Sequence, residues 1–392
     1  MTHAILILEI VGVIGFLLGQ LGRISFLNQQ INIYPHEICM IASLIIMVIK
    51  YNIKPLKAND LHKKIKYFMA WLTVSFILTV PLFDLYESFV GGLYFLRLAL
   101  YFAHFLYFLH FISSKKIYMN YLYKLLVLIV LGLISASTLQ YLFYPNLRNL
   151  LYQGWDPHLY RVFGFFFEPY LAGASLGLSL YFVLFRLQMK KTWKFLKTLL
   201  LLMIFILIVL TFSRTVYLAF LISLIFLLIR EGKYVLILLS VCAFVLTVFL
   251  APKPVGVGVQ LYRTFSITTR IDNALEGTRM WLKYPIFGVG YNRIRYAKAN
   301  LGLTGKYDSS HAASSYHSTF VTVLTASGIP GLLLFFLLLI TLARISPASS
   351  IYMLFLCILS LGDNVLIHPF MLFYYLKLLV YESSNLLWSN AR

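Results

Sequence analysis

Three arginines and one histidine carry the chemistry this sequence can offer. Arg161, Arg214 and Arg270 are permanently charged and present planar forks of donors that bind phosphate-type oxygens, so together they suit an anion site. His317 has the side chain whose ordinary pKa, about 6.5, suits taking a proton from a hydroxyl. Glu168, in an apolar sequence just before Pro169, is the competing base. Arg279 ranks behind the other arginines because Glu276, three residues earlier on the same face, offers it an ion pair. Arg214 directly follows an apolar run, where an arginine can also simply snorkel to the interface. A loop histidine taken alone carries no role. No Asp, Glu or His cluster has metal-ligand spacing, so neither metal nor other cofactor is expected. Cys39, Cys242 and Cys357 are far apart and embedded in apolar runs, which makes them packing residues rather than a disulfide framework.

The elements that position these groups are dissolved in lipid. Of 392 residues, 61% are hydrophobic and 12% charged, and mean hydropathy is +0.85; a soluble domain has about 45–50% apolar and about 25% charged residues. A water-soluble globular protein is thereby excluded. Apolar runs recur at roughly Ala4 to Gly22, His36 to Lys50, Tyr67 to Phe83, Val90 to Ile112, Asn120 to Phe143 and Phe166 to Phe185. They continue at Phe195 to Phe212, Val216 to Ile229, Tyr234 to Leu250, Phe320 to Leu342, Ile351 to Leu361 and Val365 to Val380. The fold class expected is an all-α membrane protein of about twelve transmembrane helices. The first run should stay in the membrane, because no Lys or Arg precedes it, Glu9 interrupts it and no small-x-small cleavage site follows.

Thirty-three Lys and Arg against thirteen Asp and Glu leave +20, a balance that could suggest nucleic acid. The placement of the charges removes that reading. With a cytoplasmic N-terminus, the inside segments carry Lys50 to Lys66, then Lys115, Lys116 and Lys124, then Arg186 to Lys197, then Arg230 and Lys233, then Arg344. The short outside loops carry almost none, as the positive-inside rule requires. Both termini are then cytoplasmic, and the basic excess reflects topology and attraction to anionic membrane lipids.

One segment breaks the alternation. Pro252 to Tyr316 is a long polar stretch on the outer side, dividing the chain into spans 1 to 9 (residues 1–251), a large extracytoplasmic loop (252–316) and spans 10 to 12 (317–392). Within it Ile271 to Tyr284 has a helical period, with Ile271, Ala274, Leu275, Thr278, Trp281 and Leu282 on one face and Asp272, Glu276, Arg279 and Lys283 on the other. This reads as an amphipathic helix lying on the bilayer or on the protein's own outer surface. Arg270 would immediately precede its N-terminus, where backbone N–H groups and the helix dipole add to an anion site. Pro285 ends the helix, and Gly288-Val289-Gly290 forms the turn that follows.

The string Arg270-Ile-Asp-Asn-Ala-Leu-Glu-Gly-Thr-Arg-Met-Trp-Leu-Lys-Tyr-Pro285, Gly288-Val289-Gly290, then His317-Ser318 and Gly328-Ile-Pro-Gly331, resembles the signature of the O-antigen ligase and polymerase family. Upstream, Arg161-Val-Phe-Gly164, Glu168-Pro169 and Ser213-Arg214 resemble two further motifs of that family. Ser318 stands where many members have Asn, and Ala274 where an aromatic is usual. The resemblance implies a C-type membrane glycosyltransferase of the bacterial cytoplasmic (inner) membrane with an extracytoplasmic active site. Its donor would be a glycan on a polyprenyl (undecaprenyl) pyrophosphate carrier, and its acceptor a lipid or glycan hydroxyl. Arg161, Arg214, Arg270 and, second, Arg279 would bind the pyrophosphate, and His317 or Glu168 would act as base. The alternative is a transporter or flippase of an anionic lipid-linked substrate, with intramembrane Glu9, Arg97 and His104 lining its path.

Orientation is directly testable. In a background lacking Cys39, Cys242 and Cys357, Ser310→Cys is expected to react with an impermeant thiol reagent added from outside, while Asn59→Cys is protected. The opposite pattern would invert the topology and remove the outer-face site.

Overall fold

The computed structural model describes residues 1–27, 29–52, 60–251, 260, 265–305 and 314–390. Much of the expected outer loop (252–259, 261–264, 306–313), together with Lys54 and Lys57, lies outside the described residues. Each of the twelve apolar runs is helical: α1 (Thr2–Leu18), α2 (Pro35–Tyr51), α3 (Asp60–Leu78), α4 (Leu85–Ser113), α5 (Lys116–Phe143), α6 (Pro169–Arg186), α7 (Lys194–Leu210), α8 (Arg214–Arg230) and α9 (Tyr234–Leu250). Two loop helices follow, α10 (Phe265–Lys283) and α11 (Ile294–Asn300), and then α12 (Thr319–Ala343), α13 (Pro347–Gly362) and α14 (Pro369–Asn390). Among the described residues, four segments are long and apolar enough to cross a membrane by length and composition: Thr2–Gly22, α4, α5 and α12. The chain is a multi-pass helical membrane protein. An antiparallel pair, β1 (Ile24–Phe26) and β2 (Ile31–Ile33), with Ser25 opposite Asn32, joins α1 to α2.

The helices α6 and α14 are buried on all sides and form the centre of the bundle. Close packing is possible because α6 carries Gly173 and Gly177, where a Cβ would meet Val216 at 2.6 Å and Phe355 at 2.3 Å. At the periphery, α7 and α9 expose Phe195, Leu202, Leu238 and Phe249, as helices facing lipid do. The basic segments gather at one pole. There Lys50 Nζ donates to Thr2 Oγ1 (2.8 Å), Arg186 Nε to Glu382 Oε1 (2.8 Å) and Arg230 Nη1 to Ser350 Oγ (3.2 Å). The opposite pole holds the hairpin, α10, α11 and the first residues of α6, α8, α12 and α14.

Helix α12 is broken at Gly328, whose backbone is left-handed (φ 68°) two residues before Pro330. The break frees carbonyls that the glycine turn after α10 then satisfies. Val289 N donates to Thr325 O (2.9 Å), Gly290 N to Ala326 O (2.9 Å), and in return Ile329 N donates to Pro285 O (3.1 Å). From α3, Trp71 Nε1 donates to Ser327 O (2.8 Å) and Ser75 Oγ to Phe287 O (2.6 Å). Both glycine motifs are therefore parts of one backbone joint.

One expectation changes. Helix α10 starts at Phe265, so Arg270 stands within the helix and gains nothing from its N-terminus. The periodic pattern extends back one turn through Ile267, which is compatible with the same stripe. The face carrying Ile267, Ile271, Leu275 and Leu282 points outward, and Gly277 and Met280 face the protein instead.

The joint makes a prediction. Gly328 and Gly154 both have positive φ, but a Cβ at 328 would lie 2.0 Å from Ile286 O whereas 154 has nothing within 4 Å. Alanine costs about 1–2 kcal/mol of backbone strain at Gly154, which is left-handed helical, and more at Gly328, whose ψ of −173° is reached almost only by glycine, and steric overlap adds to it only at 328. Gly328→Ala should lower the melting temperature of the purified protein well below that of Gly154→Ala; equal shifts would disprove the joint's importance.

Candidate functional site

Three helix N-termini meet at the pole opposite the basic one. Glu168 caps α6, Ser213 precedes Arg214 at the start of α8, and Ser318 caps α12 by accepting from Val321 N (3.5 Å) while donating to Ser360 O (3.0 Å). Each terminus contributes a partial positive charge. Arg270 reaches them from α10, with Arg214, Tyr170, His317 and Asp363 all inside its electrostatic range. The fold thus brings Arg161, Glu168, Arg214, Arg270 and His317 together from four separate stretches of sequence.

The residue that holds Arg270 is Asp363, between α13 and α14. Arg270 Nη2 donates to Asp363 Oδ1 (2.7 Å), and Thr215 Oγ1 donates to Oδ2. The Arg270 side chain remains 31% exposed while Asp363 is 2% exposed, so one edge of the guanidinium is fixed and the rest is open to a ligand. Gly362 keeps the approach clear, since a Cβ there would lie 2.7 Å from Thr215 Cγ2 and 3.4 Å from Arg270 Nη1. Burial pushes the Asp363 carboxyl up to about 6, against the pull of Arg270 and the Thr215 hydrogen bond. Sequence reasoning missed Asp363. Its signal was available: it is an ionisable side chain between two apolar runs.

His317 is exposed, and its backbone N–H donates to Asn273 Oδ1 on α10 (2.7 Å). Crowding by neighbouring protein, and then the Arg270 charge, lower its pKa, which keeps the imidazole neutral and able to accept a proton near pH 7. Glu168, with a side chain 25% exposed, has Oε2 3.6 Å from His158 Nε2. It does not pair with Arg161. That arginine instead donates through Nε to Thr211 O (2.8 Å) and through Nη2 to Phe212 O (3.2 Å), closing the end of α7, while Gln140 holds its segment through Arg161 O, Phe163 N and Gly164 N.

Arg279 is not brought to the cluster. It lies nine residues beyond Arg270, about two and a half turns and so on the opposite side of α10, and it is exposed. The expected pairing with Glu276 gives way to an ion pair between Glu276 and Lys298 Nζ (3.1 Å), because α11 packs beside α10. Sequence periodicity located α10 but not its neighbour, and the choice of partner followed from that omission.

A cavity of about 230 Å³ adjoins the cluster at Glu168 and Asn364 and extends inward to Arg97 and Tyr101 of α4. Asn364 is tied to α12 by Thr319 Oγ1 (3.1 Å). The intramembrane charges that could have formed a path are paired: Arg97 with Glu37, and Glu9 with both Lys377 and His104 (2.9 Å to the histidine).

Residues 198–336 match the family described as O-antigen ligase, so the resemblance carried by the motifs is borne out. The match includes Arg214, Arg270, Arg279 and His317 and ends short of Arg161 and Glu168 on one side and Asp363 on the other. No curated protein matches the chain.

The raised Asp363 value sets the sign of a pH effect. A carboxyl that holds its proton more tightly folded than unfolded contributes stability below about pH 4, and that contribution is lost as pH rises through about 6. Asp363→Asn lacks this loss. The melting temperature of the wild type relative to Asp363→Asn should therefore decline between pH 4 and pH 6.5; a gap that widens with pH would refute the assignment.

Proposed function

Proceeding from the O-antigen ligase match, we propose that this protein transfers a glycan from a polyprenyl (undecaprenyl) pyrophosphate carrier to a hydroxyl acceptor on the outer face of the bacterial cytoplasmic membrane, as a ligase or polymerase of surface polysaccharide. The observation that carries this reading is the grouping of Arg214 and Arg270 with His317 and Glu168 over three helix N-termini, at the pole away from the basic segments. The positive-inside rule makes that pole extracytoplasmic. Residues 1–251 and 317–392 would then supply nine and three spans, with 252–316 the outer loop.

The acceptor oxygen attacks the anomeric carbon, and the bond from that carbon to the pyrophosphate oxygen breaks with its electron pair going to the pyrophosphate. Negative charge grows on that leaving group. Arg270, oriented by Asp363, and Arg214 at the start of α8 stabilise it most at the moment of transfer. The acceptor's proton passes to a neutral imidazole nitrogen of His317, with Glu168 the competing base. Arginines take over the charge neutralisation that a divalent ion would otherwise supply. Paired Glu9, His104 and Arg97 weigh against the transporter alternative, since their charges are matched within the protein.

Donor binding and single-turnover transfer, both measured in excess EDTA, separate the roles. The wild type should turn over. Arg270→Ala should lose donor binding and rate together, and Arg270→Lys, which keeps charge without the fork, should restore little. His317→Ala should bind donor nearly as well and transfer at least about a hundredfold more slowly. Arg279→Ala should resemble the wild type. An active His317→Ala enzyme moves the base to Glu168, and activity that returns only with added magnesium or manganese overturns the arginine mechanism.

A further inference from the structure

Beyond the arginine cluster, the cavity inside Glu168 has the lining of a saccharide site. Tyr94, Trp155, Tyr291 and Tyr296 supply flat apolar faces, and Gln29, Gln30, Asn32 and Asn292 supply amide groups that can meet hydroxyls. At about 230 Å³ it falls below the roughly 300–1,000 Å³ of sites for drug-sized ligands. It therefore suits one sugar ring rather than a chain.

The cavity also carries a fixed cation. Arg97 Nε is bound by Glu37, and its guanidinium lies 5.3 Å from the Tyr34 ring centroid and 5.4 Å from that of Tyr94. Its Nη2 is buried and has no hydrogen-bond partner. A buried donor left unmade costs roughly 1–3 kcal/mol, and the Arg97 side chain is 16% exposed where it lines the cavity, so an acceptor beside it is favoured. Arg295 and His368 line the same space, and Glu168 is the acidic side chain at its outer end. None of Arg161, Arg214 and Arg270 lines it, so its occupant is set apart from the carrier's pyrophosphate by Glu168 and Asn364.

We propose that this cavity is the subsite for the acceptor sugar and that the sugar it selects carries a carboxylate, as a uronic acid does, read by Arg97. The inference rests on the transferase reading above. A single carboxylate matches an arginine already half-occupied by Glu37, whereas a pyrophosphate would bring several negative charges against Glu37 and Glu168.

The test is binding to the purified full-length protein by saturation-transfer NMR titration, using methyl glucuronide and methyl glucoside as matched probes. The glucuronide should bind about tenfold more tightly, the worth of a charge-assisted hydrogen bond over a neutral one. Inorganic pyrophosphate in excess should leave it in place. Arg97→Gln, and Arg97→Gln with Glu37→Gln to avoid stranding a buried carboxylate, should abolish the preference. Equal binding of the two probes, or binding of neither, overturns the inference in the wild type without need of any variant. Displacement by pyrophosphate overturns it as well, by making the cavity a carrier site. Failure of the transferase reading would look different: the glucuronide would still bind, and no glycan would move.

Discussion

The break in α12 is the constraint on which the half of the molecule away from the basic segments depends. A helix interrupted at Gly328 inside an apolar bundle exposes backbone carbonyls with no water to receive them, which is untenable unless another segment supplies donors. The turn at Gly288 to Gly290 does so, with Trp71 and Ser75 of α3 completing the set. Only glycine fits, since a Cβ at 288 would lie 2.5 Å from the α12 backbone. A polar loop that could otherwise wander over the surface is thereby anchored at one end to the membrane-embedded core. Arg293 strengthens the anchor: it is completely buried, its Nη1 bonded to Phe76 O and Thr79 Oγ1 (both 2.9 Å), its guanidinium stacked 3.7 Å from the Phe76 ring centroid.

Charge placement follows a single rule on either side of this anchor. Within the bundle, ionised side chains are matched in pairs, as in Glu9 with Lys377 and Glu37 with Arg97. At the pole away from the basic segments the match is incomplete. Arg270 has one carboxylate partner and remains partly exposed, Arg214 stands close enough to feel its repulsion, and three helix N-termini add positive potential. Two like charges are held near each other only when the scaffold forces them, and such preorganised repulsion is relieved by an anion.

Much of this was legible in the sequence, for identifiable reasons. Long apolar runs fix helices almost irrespective of context, so each of the twelve runs appears as a helix close to where the residues put it, four of the described segments being long and apolar enough to cross a membrane. The motif residues Arg214, Arg270, Glu168 and His317 likewise come together. What the sequence hid depends on contacts across the fold. Asp363 gains meaning only once α10 is laid beside the α13–α14 turn, Glu276 prefers Lys298 because α11 lies alongside, and the start of α10 was obscured by Ser266, Thr268 and Thr269, which carry no apolar signal. The three-residue strands were too short to declare a period. Arg161 was read as a ligand-binding arginine, and its donors go to the carbonyls of Thr211 and Phe212; nothing in a sequence distinguishes an arginine that meets a substrate from one that closes a helix end.

The joint and the charges are linked through the crossing of α10 over α12. At Gly277 the helices touch: a Cβ there would lie 2.3 Å from Val321, and Thr325 Oγ1 donates to Gly277 O (3.1 Å). Seven residues before that contact α10 carries Arg270, and four before it Asn273, which binds the backbone of His317 just ahead of α12. The separation of Arg270 and His317 is thus set by two helices pinned at their crossing, at Asn273 and at the Gly328 joint. A transfer reaction loses rate steeply when reacting groups drift by an ångström or so. Fixing the arginine on one helix and the histidine at the entry to another, with the two helices locked to each other, keeps constant the distance that the proposed transfer needs.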